Sequence, residues 1–580
     1  VCQWPIWRCY AMDGRGGYWQ QLTRRRISRR RALLGLTTIG LGVTATAVMG
    51  CGGGPAGSSP TGTDKDEGTP KPGGVWRQAT MTVAPHFSVY HRGAEGNVFH
   101  NDWRRTYTGY YDKLWGLRNT TDPARLVYLQ LASSLEQVDE LTVVAKMRQV
   151  FYHNQPQSKS NSKVNARQAT AEDIAASFEF LKAGTPGEIL ASSITTGVDL
   201  KSVTAIDRLT LRYDMFRPLA FFFESTTAGA TSAFAIPKEM LQTDTLKQDA
   251  PIGTGPFMFG SYQMGSIEEA VRNPNYFVKD RPYLDGKRVT FVPDAAAQEA
   301  AFRANQIDDF GFSNIRQRDS VAADLGNRIT VVDVAGGGTL LCFIANIHRK
   351  PFDDIRVREA MYRAINVDRI IDVVYFGDAV RSWFFTDINY ARFPIGFKGV
   401  ERYVGYDPKK AADLIRAAGV DLNKTYEIMV PVEAQTWVDA GRLAAEDWTK
   451  VGLKVRPAPQ VRSIYLSRAG PKPGDFDITL SVPLDYGYMR TVPGGFWENA
   501  PLEDPGIDAI AEEITGTVDV VKRKELSQKF ELMLAQKYAN FMPVLTPNAH
   551  TGIYSYIKGR DVEMSNTGLY GWQPNIWLDK

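Results

Sequence analysis

The sequence predicts an α/β protein built from more than one domain. Helical and strand-like segments alternate from Pro351 to Val482, which is the order of an α/β layer. Period-2 apolar runs at 135–153 and 209–213 mark strands of a separate, earlier region. Cysteine is too scarce for a disulfide scaffold: Cys2 and Cys9 precede residue 24, Cys51 closes an export-like segment, and Cys342 stands alone after it. Stability must then come from a large buried core, which at this length is normally divided between domains.

Residues 1–50 read as an upstream segment followed by an export signal. Arg24–Arg26 and Arg29–Arg31 form a basic stretch, and the uncharged run Ala32–Gly50 leads directly to Cys51. Ser28-Arg29-Arg30-Arg31-Ala32-Leu33-Leu34 resembles the twin-arginine motif. Val48-Met49-Gly50-Cys51 resembles a lipobox, with Cys51 as the acylated residue. The competing reading is a membrane anchor, since ~20 apolar residues span a bilayer. Four glycines, four threonines and the lack of a following basic cluster argue against it.

The charge of the chain is dominated by this segment. Residues 1–50 hold eight Arg and one Asp, while the whole chain is only +4, so the remainder is net −3. The basic character belongs to the leader and gives no reason to expect a nucleic-acid partner. Gly52–Gly74 is Gly, Ser, Thr, Pro and charge with almost nothing apolar, and reads as a flexible spacer over 51–74. Folded structure begins near Val75-Trp76.

Strands are expected across 135–153, turning near Asp139-Glu140. Thr170-Ala171-Glu172-Asp173 is a capping box opening a helix with Ile174, Phe178 and Leu181 on one face. Leu209, Leu211 and Tyr213 alternate as a strand. Pro251-Ile252-Gly253-Thr254-Gly255-Pro256-Phe257 is a turn cluster. Further on, Val357, Ala360, Met361, Ala364 and Ile365 form a helical stripe, and Asp368 starts a second helix that ends at Gly377. Asp407 caps a helix with Pro408 at N1 and Gly419 just past its end. Strand-like Tyr426–Val432, helix-like Val438–Val451, and strand-like Leu453–Arg456 and Phe476–Val482 follow. A last long helix falls at about 519–539.

Sites for chemistry are not evident. The sequence has no G-x-x-x-x-G-K-[ST] loop, no G-x-S-x-G elbow and no H-E-x-x-H pair. Asp309-Phe310-Gly311 lacks the catalytic loop that would give a kinase triplet meaning. His86, His91 and His100 lie close in sequence, but their spacing suits no metal and they read as surface or pocket-rim residues. No metal, no cofactor and no enzymatic activity are expected. A surface-anchored hydrolase is the rival class, and the sequence offers it no acid pair or nucleophile.

Taken together, LASSLEQVDELTVVAKMRQVFYHN, TAEDIAASFEFL, AIDRLTLRY, PIGTGPF, RNPNYFVKDRPYLDGKRVTFVPD, NQIDDF, PFDDIRVREAMYRAINVDRII and YDPKKAADLIRAAG resemble, in order, one family. It is the extracytoplasmic solute-binding proteins of family 5, which serve dipeptide, oligopeptide and nickel ABC transporters. The resemblance covers most of 75–580. It implies a bilobed, type II periplasmic-binding-protein-like α/β fold. The first lobe is expected at 75–340 with an extra subdomain at about 113–235, the second at 341–545, with a return to the first at 546–580. It further implies a monomer outside the cell that encloses a peptide-like or oligosaccharide solute and passes it to ABC permease subunits.

Asp485-Tyr486 falls where peptide binders of the family carry an Asp-Tyr motif whose carboxylate meets an α-ammonium. Here it continues as Gly487-Tyr488-Met489-Arg490, unlike the proline-containing turn usual there. Trp383, Phe384 and Phe385 follow a helix end and Trp437 follows a strand end, places where α/β clefts gather ligands. His86, Tyr90, Tyr110 and Tyr111 are the expected counterparts from the first lobe. Lobe packing is the alternative role for each aromatic.

Overall fold

The chain enters its first sheet at Val75–Thr80 (β1), where Trp76 and Gln78 point inward. The computed structural model describes residues 68–81, 86–90, 109–117, 127–183, 200–219, 222–223, 234–338, 340–383, 396–432, 434–469, 474–481, 505–517, 519–537, 541–560 and 573–580. The export-like segment and Cys51 lie outside these residues. From Pro70 onward the chain forms one compact unit.

A short ribbon, Trp115–Leu117 (β2) with Val127–Leu129 (β3), leads to a hairpin of Ala132–Asp139 (β4) and Thr142–Met147 (β5). The hairpin turns where the sequence indicated, with the Leu141 N–H donating to the Asp139 carboxylate at 2.8 Å. Its second strand stops at Met147, short of the expected His153. The backbone beyond is drawn elsewhere: Tyr152 N–H donates to Arg167 and His153 N–H to Gly253. Leu200–Asp207 (β6) and Thr210–Met215 (β7) complete an antiparallel sheet in the order β4-β5-β7-β6. The helix Ala171–Ala183 packs on β6, and both the N–H and the hydroxyl of Thr170 donate to Asp173.

Phe257–Gln263 (β8), Ile267–Arg272 (β9) and Gly286–Phe291 (β10) join β1 in the order β1-β10-β9-β8. Asp309–Phe312 (β11) and Ile329–Val334 (β12) flank a strand that arrives much later, Ala549–Tyr554 (β19). These two sheets share a core of Trp76, Phe257, Leu284, Phe302, Phe310 and Ile553.

The second core belongs to a six-stranded sheet in the order β14-β18-β13-β17-β15-β16. Its strands are Leu341–Ala345 (β13), Ala379–Arg381 (β14), Tyr426–Pro431 (β15), Val455–Gln460 (β16), Ile478–Ser481 (β17) and Phe541–Pro547 (β18). Every residue of β13 is buried, as a strand covered on both faces requires, and Cys342 is among them. The helices Ile355–Ala364, Val367–Val374, Pro408–Ala417 and Gln435–Lys450 contribute to this core. Asp407 caps its helix through the Lys410 N–H, and Gly419 takes φ +66° beyond the end. The helix expected to start at Asp368 is capped instead by Asn366, whose side chain accepts from the Arg369 N–H at 3.0 Å.

Candidate functional site

Strand directions single out one edge of the six-stranded sheet. β15 runs parallel to both β16 and β17, so the carboxyl ends of all three lie together. β13 is antiparallel to β17 and to β18, which places the start of β13 and the end of β18 at that same edge. Those two points are where the chain crosses between this sheet and the β11-β19-β12 sheet. Open α/β sheets gather ligands at the carboxyl ends of their strands, so this crossover edge is the candidate site.

Trp437 is at this edge, in the first turn of the helix Gln435–Lys450 that follows β15. It is half-buried against the core, with its backbone N–H donating to the Ala434 carbonyl at 2.9 Å. Val432 and Val461 continue from the ends of β15 and β16, 41% and 50% exposed, and the Val432 N–H donates to Gln460. β17 ends at Ser481 here, and the chain continues toward Asp485, Tyr486 and Tyr488, which lie outside the described residues. Phe384 and Phe385 also lie outside them, as do His91 and His100.

Trp383 is placed differently. β14 pairs antiparallel with β18, Ala379 opposite Pro547 and Arg381 opposite Leu545, so the chain runs away from the crossover edge. Trp383 is 1% exposed, its ring 5.8 Å from that of Tyr362. In this arrangement it packs the core of the six-stranded sheet.

Tyr110 and Tyr111 pack on the Pro251–Phe257 turn, and Tyr90 is linked to Tyr111 across Phe234. Gly255 N–H donates to the Tyr110 carbonyl and Phe257 N–H to the Gly109 carbonyl, both at 2.9 Å. A Cβ on Gly253 or Gly255 would run into the backbone carbonyls of Tyr110 and Gly109, which is why glycine stands at both places. Phe234 lies between the Tyr90 and Tyr111 rings, 6.4 and 5.9 Å from them. All three tyrosines are buried, and burial drives the hydroxyls of Tyr90 and Tyr111 far above the usual phenol range. His86 is half-buried nearby in sequence.

Two buried polar groups here had no signal in the sequence. The Tyr110 hydroxyl donates to Glu268 at 2.7 Å. Burial pushes the Glu268 carboxyl up to about 7, against the pull of Tyr110 and of Lys287. Lys287 is itself buried, its ammonium 5.3 Å from the Trp76 ring centre. Their side chains come together only because β1, β10 and β9 are neighbours, a long-range pairing that local pattern does not reveal. Among the described residues no group of three or more His, Cys, Asp or Glu side chains is arranged to hold a metal ion, and no helix is long and apolar enough to cross a membrane.

Residues 127–490, more than half of the chain, match the bacterial extracellular solute-binding proteins, family 5. The chain belongs to this family. The family 5 protein is 28% identical to the "Heme-binding protein A" of Haemophilus influenzae over 288 residues, covering 47% of this chain and 49% of that one. It is 27% identical to the "Di/tripeptide-binding protein 1" of Pseudomonas aeruginosa over 335 residues, covering 55% and 60%. The family 5 chain thus spans about half to three-fifths of the length of these curated relatives. Its fold is similar to that of the oligopeptide-binding protein AppA of Bacillus subtilis, solved with a nonapeptide. The TM-score is 0.70 at 19% identity, over 88% of this chain and 100% of that one. The α/β architecture is therefore the bilobed, type II binding-protein fold, as the sequence indicated.

Proposed function

We propose that this family 5 protein is the solute receptor of an ABC importer, closing two lobes on a peptide-like solute and presenting it to the membrane permease. The observation that carries the reading is the crossover edge, where the carboxyl ends of three parallel strands meet both chain crossings. A solute touching both sides of such an edge favours the closed arrangement by its contacts, which is a population shift. The lobes are 75–340, with an extra subdomain at about 113–235, and 341–545, with 546–580 returning to the first.

In this reading Asp485 pairs with the solute's α-ammonium, and Tyr486, Tyr488 and Trp437 supply flat apolar surface beside it. His86 belongs to the wall on the other lobe, with Tyr90 and Tyr110 backing it from within that lobe. Trp383 supports the cleft from within the second lobe. The protein works as a monomer, without cofactor or catalysis, moored outside the cell through an acylated Cys51 after twin-arginine export. The names of the Pseudomonas and Bacillus proteins specify peptides, and that of the Haemophilus protein specifies haem.

Isothermal titration of the full chain with di-, tri- and longer peptides tests the proposal, with oligosaccharides and haem as competing arms. Saturable one-to-one binding of peptides with a free α-amino group is expected. Binding of oligosaccharide or haem with no peptide bound would reassign the solute. Turnover of any of these compounds would overturn the receptor reading itself.

A further inference from the structure

Three titratable side chains from separate elements meet at the crossover. His550, the second residue of β19, has a side chain only 4% exposed. Its Nδ1 lies 2.6 Å from the Asp333 carboxylate near the end of β12, and its Nε2 lies 2.5 Å from the Asp378 carboxylate just before β14. Asp333 and His550 belong to the three-stranded sheet, whereas Asp378 leads into the six-stranded one. The imidazole therefore bridges the two sheets at the point where the chain passes between them.

The same aspartate holds the later crossing directly, and the earlier one through it. Asn548 donates its N–H to the Asp378 carbonyl at 3.2 Å and its side-chain amide to the Asp378 carboxylate at 2.7 Å. The Asn548 side-chain oxygen accepts from the Gly336 N–H at 2.8 Å, and Gly338 N–H donates to the Pro547 carbonyl at 2.9 Å. Gly336 and Gly338 are thus laced to Asn548 and Pro547, and Asn548 to Asp378.

Hydrogen-bond chemistry fixes how many protons this cluster must carry. An ionised carboxylate only accepts, and a neutral imidazole has one donor and one acceptor nitrogen. Both His550 bonds exist together only while the three groups hold one proton more than a neutral imidazole and two carboxylates. Against the upward pull of burial, hydrogen bonds from His550 and Arg318 hold the Asp333 carboxyl low. Without the extra proton one bond is lost, and a lone pair of the buried imidazole faces a carboxylate, that of Asp333 43% exposed or that of Asp378 13% exposed.

The surrounding charges are few. From the helix Ile315–Leu325, Arg318 reaches both Asp333 and Asp319 at 2.5 Å, and Arg316 lies over the Phe376 ring at 3.9 Å. β11 places the uncharged Phe312 opposite His550, and beyond Asp378 Arg381 pairs with Asp368 at 2.7 Å.

We propose that the proton shared by His550, Asp333 and Asp378 is a latch on the hinge, fastening the two crossings while it is held and freeing them when it leaves. Rising pH then loosens the hinge irrespective of which solute the cleft takes, so the test is run on the full chain without solute. Backbone exchange at Gly336, Gly338 and Asn548, corrected for its intrinsic pH dependence, reports the lacing. Protection is expected to fall by about tenfold or more on passing from pH 5 to pH 9, a loss of roughly 1.4 kcal/mol or more at the hinge, with β13 amides unchanged. His550→Gln, which cannot take up the proton, is expected to give a flat profile.

Protection in the unaltered chain that is constant over this range would overturn the proposal. So would a His550→Gln profile that still follows the original one. If that variant does not fold, ring-nitrogen NMR of the unaltered chain decides. Loss of one proton from the cluster must coincide with loss of amide protection, and a cluster without the extra proton throughout the range sinks the latch.

Discussion

His153 donates from Nε2 to the carbonyl oxygen of Gly255 at 3.0 Å. Its Nδ1 faces the Gly253 N–H at 3.3 Å and so must accept, which fixes the neutral tautomer with the proton on Nε2. The ring is buried, and burial lowers its pKa to about 4 against the pull of the Gly255 carbonyl. The imidazole thereby staples the Pro251–Phe257 turn onto the segment after β5.

That staple has a pH signature. The unfolded chain binds a proton at His153 near pH 6.5, whereas the folded chain resists it down to about 4. The contribution is complete above 6.5 and is lost as pH falls toward 4, amounting to about 3 kcal/mol. Urea titrations at pH 7 and pH 4 should show this loss in the natural chain. His153→Gln, which has no proton to gain, should lose about 3 kcal/mol less over the same interval.

Glu268 works in the opposite sense. Its folded pKa of about 7 exceeds the ordinary 4.5, so the folded state holds the proton longer and stability declines as pH rises between those values. Glu268→Gln should remove about 3 kcal/mol of that decline. Denaturation midpoints of the two proteins measured at pH 5 and pH 8 check it. Parallel profiles would mean that Lys287 neutralises the carboxylate at all pH values.

Gly253→Ala and Gly255→Ala each place a methyl group against backbone carbonyls that have no side-chain freedom to yield. Each should cost about 3 kcal/mol. Gly311→Ala is the control, since a Cβ there meets nothing within 4 Å, and it should stay within about 0.5 kcal/mol. Thermal melts of the three variants separate a crowded turn from a general intolerance of alanine.

For the cleft, Asp485→Asn should weaken peptides carrying a free α-ammonium by roughly 10-fold or more, with N-acetylated peptides affected far less. Trp437→Ala should weaken both kinds alike. Calorimetric affinities for matched free and acetylated peptides decide it. Equal losses for the two kinds with Asp485→Asn would remove the carboxylate from its assigned role.

Local signals were readable in the sequence and distant ones were not. Asp407-Pro408 and Gly419 marked a helix start and stop because capping involves residues within four positions of each other. The Pro251–Phe257 turn was legible as a turn. Its partners Gly109, Tyr110 and His153 were not, because they approach from more than ninety residues away. Trp383 read as a loop aromatic after a helix end, but the antiparallel pairing of β14 carries it inward. The hinge cluster joins residues 333, 378 and 550, and no spacing rule connects them.

β19 sits between β11 and β12, yet β12 ends at Val334 and β19 begins only at Ala549. Until the ribosome has delivered that late strand, β11 and β12 have no middle neighbour to bond with, and the amino-terminal core stays open. Synthesis order therefore forbids this half from maturing on its own while translation proceeds. A chain released before Ala549 leaves two bare strand flanks for chaperones or proteases to find.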